Sequence, residues 1–346
     1  MCIRDRSFIN VTKTIISENG KNVSFDIMPS GVIIDSSHHI SILNCDITSN
    51  NEYGIRVEDS RNVSIHYTNI WNNSEWGIMN VYWDMGDDVN ASYNYWDSPA
   101  GPYHPTLNPN GTGDNVSDNV NFIPWLTAPV KGAKEKIIKE GENEIDAIDE
   151  ADITIKINTT VNNSIRIISY EEAPVEEPEV IKSIGKYVEI EVKNKSAVKW
   201  PIYIQIYYTQ EDLDNAGIKE NQLLGIYFYN ESSGEWELYN DTGVNITDVV
   251  VNGKEYAGYA WANAWHLTNL TIGADDIKPE ISNVVANPTV QEINGYVNIS
   301  CIVTDNVGLA EVYVNITYPD NGVQSFEMEN VVGTNVYYYN ASYLIA

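Results

Sequence analysis

Two consecutive segments decide the fold: GVIIDSSHHISILNCDITSNNEY, residues 31–53, and GIRVEDSRNVSIHYTNIWNNSEW, residues 54–76. They align over 23 residues without a gap, and Gly77 opens a third segment at the same spacing. With each glycine as position zero, apolar residues match at +1, +9, +11 and +16, and asparagine matches at +19. Self-similarity at a fixed period of this length indicates a solenoid.

The repeat extends in both directions from these two segments. On the N-terminal side, apolar and polar residues over 9–19 have the same spacing as those over 40–50. On the C-terminal side the pattern continues over 89–96, after an insertion of three residues. We therefore predict about four coils.

A unit of this length suits one coil of a parallel β-helix, with three short strands separated by turns. Equivalent side chains would stack at the strand spacing of about 4.8 Å. Asn50 and Asn73 would then form an inward ladder of amides. A leucine-rich repeat has units of similar length, but it needs several leucines and a helical segment per unit. Leu43 is the only leucine in the repeated segments.

These residues resemble the right-handed parallel β-helix repeat superfamily, which includes periplasmic copper-binding-type proteins and many archaeal and bacterial surface proteins. Residues 91–126, ASYNYWDSPAGPYHPTLNPNGTGDNVSDNVNFIPWL, look like the usual closing segment of such solenoids. A cap is needed because the last coil would otherwise expose unpaired strand groups, and Trp96, Phe122 and Trp125 can cover it. Copper delivery is disfavoured, because His, Met and Cys do not recur at a ligand spacing.

The period disappears after the cap, and strand-like alternation replaces it. Residues 131–152 look like a charged connector, and a short helix is predicted within 208–222. The stretch over about 135–275 resembles β-sandwich modules of archaeal surface proteins. Residues 276–346 resemble an immunoglobulin-like surface repeat, but they are fewer than the roughly 100 that such a sandwich needs, so we expect an incomplete domain.

The predicted fold class is therefore all-β. It comprises a β-helix with its cap over 7–130, a β-sandwich over 131–275 and an immunoglobulin-like sandwich over 276–346. Residues 1–6, MCIRDR, fit neither the composition nor the pattern of the rest of the chain. We expect this hexapeptide to be a non-native leader outside the fold.

Charge restricts the partners. Lys and Arg number 20 against 49 Asp and Glu, which gives a net charge of −29. Such a surface repels phosphate backbones, so nucleic-acid binding is excluded, and it lacks the basic patch that would hold anionic lipid. No run of residues is apolar enough to predict a transmembrane segment.

Asn-x-Ser/Thr sequons indicate an extracellular or cell-surface location. Composition alone predicts roughly five, whereas the chain has 17. The excess indicates an exported, N-glycosylated protein. The candidate glycosylation sites are Asn10, Asn22, Asn62, Asn72, Asn90, Asn110, Asn115, Asn158, Asn162, Asn194, Asn230, Asn240, Asn245, Asn269, Asn298, Asn315 and Asn340.

Some parallel β-helices cleave polysaccharides with carboxylates on one sheet. The corresponding candidates for a ligand groove are Asp35, Glu58, Asp59 and Tyr82. Asp35 and Glu58 should lie one strand apart, which is too close for an inverting pair of carboxylates but compatible with a shared cation. A solvated outer face without a ligand is the favoured interpretation of these residues. Asp305, Asn306 and Asp320 could assist a Ca²⁺ site or simply form turns; otherwise neither a cofactor nor a metal site is predicted.

The sequence leads to two hypotheses of function. The first is a secreted or cell-surface structural or adhesive glycoprotein, with the β-helix as a rigid stalk or ligand-binding face and the sandwiches as spacers. The alternative is an exoprotein that binds or cleaves polysaccharide as a lyase or hydrolase. No catalytic residue is assigned, and the expected partners are cell-surface polymers, polysaccharide or other surface proteins. Fold resemblance alone does not decide between them.

Overall fold

The structure is a computed structural model that describes residues 1–19, 30–81, 88–178, 181–275, 277–292, 295–305, 309, 311–318 and 321–342. Its contacts divide the chain into two compact units. The first unit comprises residues 1–178 and 183–274, and the second consists mainly of residues 275–346. No helix among the described residues has the length and apolar character needed to cross a membrane.

The first part of the chain is a parallel β-helix. Its described strands form three parallel sheets in the orders β1-β4-β7-β10 (sheet 1), β14-β11-β8-β5-β2 (sheet 2) and β3-β6-β9 (sheet 3). The strands are β1 Cys2–Arg4, β2 Ser7–Thr12, β3 Ile15–Ser17, β4 Ser30–Asp35, β5 His38–Leu43, β6 Asp46–Thr48, β7 Tyr53–Glu58, β8 Arg61–His66, β9 Asn69–Trp71, β10 Trp76–Val81, β11 Val89–Asn90, β12 Pro102–Tyr103, β13 Gly113–Asn115 and β14 Val120–Asn121.

The predicted coil register is confirmed. Val32 pairs with Ile55 in sheet 1, Ile40 with Val63 in sheet 2 and Ile47 with Ile70 in sheet 3. These side chains are almost fully buried and form one core that runs along the stack. The repeat works because each coil contributes the same apolar side chain at the same height, so the core is built layer by layer.

The spacing of the glycines follows from the asparagine ladder. Asn50 Nδ2 donates to Asn73 Oδ1 at 2.9 Å, and Asn73 Oδ1 also accepts from the backbone N–H of Asn50 at 3.1 Å. A Cβ on Gly54 would lie 2.8 Å from the Asn73 Nδ2 and 2.6 Å from the carbonyl oxygen of Gly77. Glycine at position zero thus makes room for the amide at +19 and for the next coil.

The other two corners of each coil use the same device. Ser60 Oγ accepts from the backbone N–H of Ser37 at 3.0 Å, and Thr68 Oγ1 accepts from that of Cys45 at 3.4 Å. The residue before each corner position has a positive φ, for example 48° at Ser36 and 52° at Asn44. Left-handed backbone turns the chain sharply, and the following side chain ties the turn to its neighbour.

The closing segment covers the end of the stack. Trp96 and Phe122 are buried within the same core, and Trp125 packs against its edge. Trp125 Nε1 donates to the Pro99 carbonyl at 3.1 Å. The asparagine ladder also ends here, because Asn73 Nδ2 donates to Asp114 Oδ2 at 2.8 Å. These contacts agree with the role of a cap predicted for the three aromatic side chains.

The first six residues depart from the sequence prediction. We expected the hexapeptide to lie outside the fold, but Cys2–Arg4 forms β1 and pairs in parallel with β4. The side chain of Ile3 lies opposite Ile34 and is buried in the core of the β-helix. The backbone N–H of Ile33 donates to the Met1 carbonyl at 2.9 Å, so this segment is part of sheet 1.

The second part of the first unit is the two-sheet module, residues 130–274. Its sheets have the orders β15-β18-β19-β27-β21-β22 and β16-β17-β20-β26-β23, and β24 and β25 form a hairpin. Its elements are β15 Val130–Ile138, β16 Gly141–Ala147, α1 Ile148–Ala151, β17 Ile153–Thr159, β18 Asn163–Tyr170, β19 Lys182–Val192, a 3-10 helix Lys195–Ala197, β20 Val198–Tyr208, α2 Gln210–Ala216, a 3-10 helix Glu220–Gln222, β21 Leu223–Asn230, β22 Glu235–Leu238, β23 Thr242–Asn245, β24 Val249–Val251, β25 Lys254–Tyr256, β26 Gly258–Ala264 and β27 Asn269–Ala274.

Both sheets contribute apolar side chains to one core, which includes Ile155, Ile190 and Ile204. The predicted alternation of buried and polar residues is therefore observed. The expected charged connector over 131–152 is wrong: it forms β15, β16 and α1. β15 and β16 are the first strands of their sheets, and charged side chains are common on edge strands because they prevent further strand pairing.

The second unit contains the C-terminal strands. β28, β29, β33 and β32 form one antiparallel sheet, and β30 and β31 form a hairpin. A small core includes Cys301, Val303, Val312 and Met328. Asn306 and Asp320, two of the three residues suggested for Ca²⁺, lie outside the described residues. The strands are β28 Glu280–Asn287, β29 Tyr296–Thr304, β30 Tyr313–Thr317, β31 Val323–Glu327, β32 Glu329–Asn330 and β33 Val336–Ser342.

The end of the ladder yields a prediction on pH. Burial raises the pKa of the Asp114 carboxyl from 3.8 to about 6, although hydrogen bonds from Asn73 oppose the shift. A raised carboxyl pKa contributes stability that is fully present below pH 3.8 and is lost as the pH rises through 6. Asp114→Asn keeps an acceptor for Asn73 and removes the charge. The unfolding free energy of the variant minus that of the parent chain should therefore increase with pH. Between about pH 4 and 7.5 we expect this difference to grow by about 2–3 kcal/mol.

Urea denaturation at a series of pH values measures this difference. Asp149→Asn provides a matched control, because it removes the same charge from an exposed side chain outside the ladder. A general effect of net charge would appear in both variants. If the unfolding free energies of the parent chain and Asp114→Asn differed by the same amount at every pH, the raised pKa of Asp114 at the end of the ladder would be contradicted.

Candidate functional site

The structure places three of the four predicted groove residues at one edge of the β-helix. Asp35 and Glu58 end β4 and β7 and pair directly in the parallel register. Asp59 follows at a corner with φ of 41° and is exposed. Tyr82 lies outside the described residues. The repeat thus brings the carboxylates together as aligned neighbours on successive coils.

Both paired carboxylates already have cationic partners. Arg4 Nε lies 2.7 Å from Asp35 Oδ2, and Arg56 forms an ion pair with Glu58. One oxygen of each carboxylate is therefore already engaged by a guanidinium. The described residues contain no group of three or more His, Cys, Asp or Glu side chains that could hold a metal ion.

A more elaborate arrangement joins the β-helix to the two-sheet module. Asn69 Nδ2 donates to the Val130 carbonyl at 2.9 Å, and its Oδ1 accepts from the Val130 N–H at 2.8 Å. Asn44 makes the same pair of bonds with Ala133, both at 3.0 Å. Each amide therefore satisfies both backbone groups of one residue of β15. We call these two contacts the joint.

A charged and aromatic layer flanks the joint. Tyr67 donates a hydrogen bond to Glu135, and the guanidinium of Arg166 lies 3.8 Å from the centroid of the Tyr93 ring. Arg166 also forms an ion pair with Glu191. Burial and the Glu135 carboxylate raise the pKa of the Tyr67 hydroxyl well above its usual range, which keeps this hydroxyl protonated as a donor.

A groove lies beside the joint on the outer face of sheet 3. The parallel register aligns Ile15, Asp46 and Asn69 in one row, and a bridge adds Tyr95. A second row aligns Thr48 with Trp71, and Asp97 follows Tyr95 by two residues. Pro129 and Glu171 line the groove from the segments next to β15 and β18, and its volume is about 400 Å³.

The groove combines carboxylates with aromatic side chains. Asp46, Asp97 and Glu171 supply the carboxylates, and Trp71 and Tyr95 supply the rings. Partial burial and the nearby charge of Asp46 raise the pKa of Glu171. The groove is therefore rich in hydrogen-bond acceptors, and its described lining contains no Lys or Arg side chain.

A buried ion network occupies the two-sheet module. Lys186 Nζ lies 2.6 Å from Asp152 Oδ2 and 3.1 Å from Asp212 Oδ2. Lys254 and Tyr256 donate to the other oxygen of Asp152. Burial alone would raise the pKa of the Asp152 carboxyl, but these donors lower it to about 2. The two lysines balance the two aspartates, so we assign this network to stability.

Sequence reasoning did not identify the joint or the groove. Asn44 and Asn69 occupy positions +13 and +15 of successive coils, where the aligned residues are Tyr67 and Asp46. The available signal was that the residues at these two outward positions differ between coils. This difference could not be interpreted from the sequence, because the repeat carries no information on where β15 packs.

Comparisons with known proteins agree with the geometry of the β-helix. Residues 1–93 match a family model described as a right handed beta helix region. Neither the comparison with curated proteins nor the comparison with solved structures finds a match. The parallel sheets show a β-helix in this part of the chain, and the family that it matches is of the right-handed type.

The joint predicts a large loss of stability on removal of one amide. Asn69→Ala leaves the N–H and the carbonyl of the buried Val130 without partners, which should lower the unfolding free energy by about 2–4 kcal/mol. Circular dichroism in urea measures the loss. Asn51→Ala removes an exposed amide one residue after the ladder position and should change the stability by less than about 0.5 kcal/mol. Equal effects of the two substitutions would contradict the role of the joint.

Proposed function

We propose that the chain is a structural and adhesive part of a secreted or cell-surface glycoprotein. The β-helix acts as a rigid stalk that presents its outer faces, and the two-sheet module acts as a spacer fixed to it. The resemblance of residues 135–275 to modules of archaeal surface proteins supports such a setting.

The joint is the observation that carries this proposal. Modules linked only by a connector move independently, which is the usual behaviour when few contacts cross between them. Here two asparagine side chains bind the backbone of β15 at two successive coils. Lys13 of the β-helix adds an ion pair to Glu150 of α1, at 3.8 Å. These bonds restrict both rotation and bending, as a stalk requires.

The distribution of asparagines supports the glycoprotein part. Among the described residues, none of the 16 sequon asparagines is buried. Within the same part of the chain six asparagines are buried, and none of them begins a sequon: Asn50, Asn69, Asn73, Asn80, Asn94 and Asn163. Buried amides therefore serve as ladder and contact groups, while exposed sequons such as those at Asn62, Asn110 and Asn162 are accessible for a glycan. Asn22 lies outside the described residues.

Polysaccharide cleavage is the weaker alternative. The carboxylates proposed for it, Asp35 and Glu58, form ion pairs with arginines. Because the two residues pair directly on neighbouring strands, they are also too close for an inverting pair of carboxylates.

The stalk hypothesis predicts a fixed distance across the joint. Spin labels on cysteines at His38 of β5 and Ser232 after β21, both exposed, report this distance by pulsed electron resonance. Cys2 is exposed and is replaced by Ser, whereas Cys45 and Cys301 are buried. We expect one narrow distance distribution, which the double substitution Asn44→Ala/Asn69→Ala broadens. A broad distribution in the chain with an intact joint would overturn the stalk hypothesis.

The glycoprotein hypothesis predicts sequon occupancy. When the chain is produced in a host that performs N-glycosylation, glycopeptide mass spectrometry should find glycans at exposed positions such as Asn62, Asn110 and Asn162. A Thr112→Ala variant removes the Asn110 sequon and should lose that one glycan. Secretion of a folded chain without any glycan would contradict the hypothesis.

A further inference from the structure

The groove on sheet 3 is built by the repeat and closed by the two-sheet module. Its floor consists of outward side chains aligned on successive coils, and Pro129 and Glu171 form a wall. A volume of about 400 Å³ falls within the usual range for small-ligand sites. The joint holds this wall against the floor, so the groove is pre-formed.

Trp71 gives the groove an aromatic platform. Its side chain keeps 40% of its surface exposed. An exposed indole face that borders polar groups packs well against the C–H face of a sugar ring, because both surfaces are flat and partly apolar. Thr48 lies beside Trp71 in the same row and adds a hydroxyl.

The polar groups of the groove select among saccharides. Asp46, Asp97 and Glu171 accept hydrogen bonds and are well suited to sugar hydroxyls. Asp46 Oδ1 already accepts from Asn69 Nδ2 at 2.7 Å, which orients this carboxylate. With no Lys or Arg in the described lining, uronic acids and sulfated or phosphorylated sugars would be repelled. The chemistry therefore favours an uncharged glycan.

We propose that this groove binds a neutral glycan, with one sugar ring stacked on Trp71 and its hydroxyls donating to Asp46, Asp97 and Glu171. The site lies on sheet 3 beside the joint and not on the carboxylate edge of sheet 1. It adds ligand recognition to the proposed stalk and rests on the same joint. The two proposals are tested separately, since a failure to bind glycan would leave the stalk hypothesis intact.

Titration calorimetry and tryptophan fluorescence test the site. The full chain is produced in a host without N-glycosylation, because Asn72 begins a sequon beside Trp71. The probes are neutral hexamers of β-1,4-linked glucose, β-1,4-linked mannose and N-acetylglucosamine, with hexagalacturonate and a glucosamine hexamer as charged counterparts. We expect at least one neutral hexamer to bind, with an affinity that 0.5 M NaCl leaves unchanged, and hexagalacturonate not to bind.

Variants locate the binding site. Trp71→Ala should weaken binding about tenfold or more, and Glu171→Gln about threefold. Trp265, which is 64% exposed in the two-sheet module and does not line the groove, gives the matched control: Trp265→Ala should bind like the parent chain. Circular dichroism melts verify that each variant is folded.

Three results would overturn the proposal. The first is the absence of binding by all three neutral hexamers at millimolar concentration. The second is neutral-glycan binding that a folded Trp71→Ala variant retains, since the ligand would then lie elsewhere. The third is salt-sensitive binding of the glucosamine hexamer alone, which would assign the groove to ammonium cations.

Discussion

The structure depends on polar side chains that reach from one coil to the backbone of the next. Each coil turns through residues of left-handed conformation, and a non-glycine residue in that conformation costs about 1–2 kcal/mol. The side chain of the serine, threonine or asparagine that follows accepts a hydrogen bond from a backbone N–H of the adjacent coil. This bond offsets the cost, because it contributes about 1 kcal/mol and because leaving the buried N–H without a partner would cost more. Ser60, Thr68 and Asn73 perform this role at the three corners of one coil.

The joint uses the same chemistry for a different purpose. Asn44 and Asn69 point out of the solenoid, so their amides bind the backbone of β15 instead of another coil. The first strand of the two-sheet module is thereby attached along the stack, and a segment rich in lysine and glutamate becomes an ordered edge strand. One consequence is the groove, because the side chains of sheet 3 next to the joint gain a wall that a free solenoid would lack.

The acidic composition is tolerated because the protein distributes its carboxylates in two ways. Most of them lie on outward positions and edge strands, where water and salt screen their repulsion. Two carboxylates that the fold shields from solvent have donors: the partly buried Asp114 accepts from the amide of Asn73, and the buried Asp152 accepts from Lys186, Lys254 and Tyr256. The two environments shift the pKa in opposite directions, since amide donors do not compensate the burial of Asp114 whereas ammonium groups do so for Asp152.

The period of the solenoid, its register and the inward ladder could be predicted from the sequence, because coil stacking couples residues at a constant separation of 23 positions. The alternating strands of residues 153–206 were likewise visible, since burial of one sheet face imposes a period of two. The aligned carboxylates Asp35 and Glu58 were located correctly relative to each other for the same reason.

Periodicity could not reveal the strand character of residues 131–152, the joint or the groove. An edge strand is open to solvent along much of its length, so its charged residues hide the alternation. Asn69, Trp71 and Glu171 are separated by up to about one hundred positions and follow no common spacing. Only the docking of β15 on sheet 3 brings them together, because long-range contacts between modules are set by the shapes of two folded surfaces and not by a local pattern.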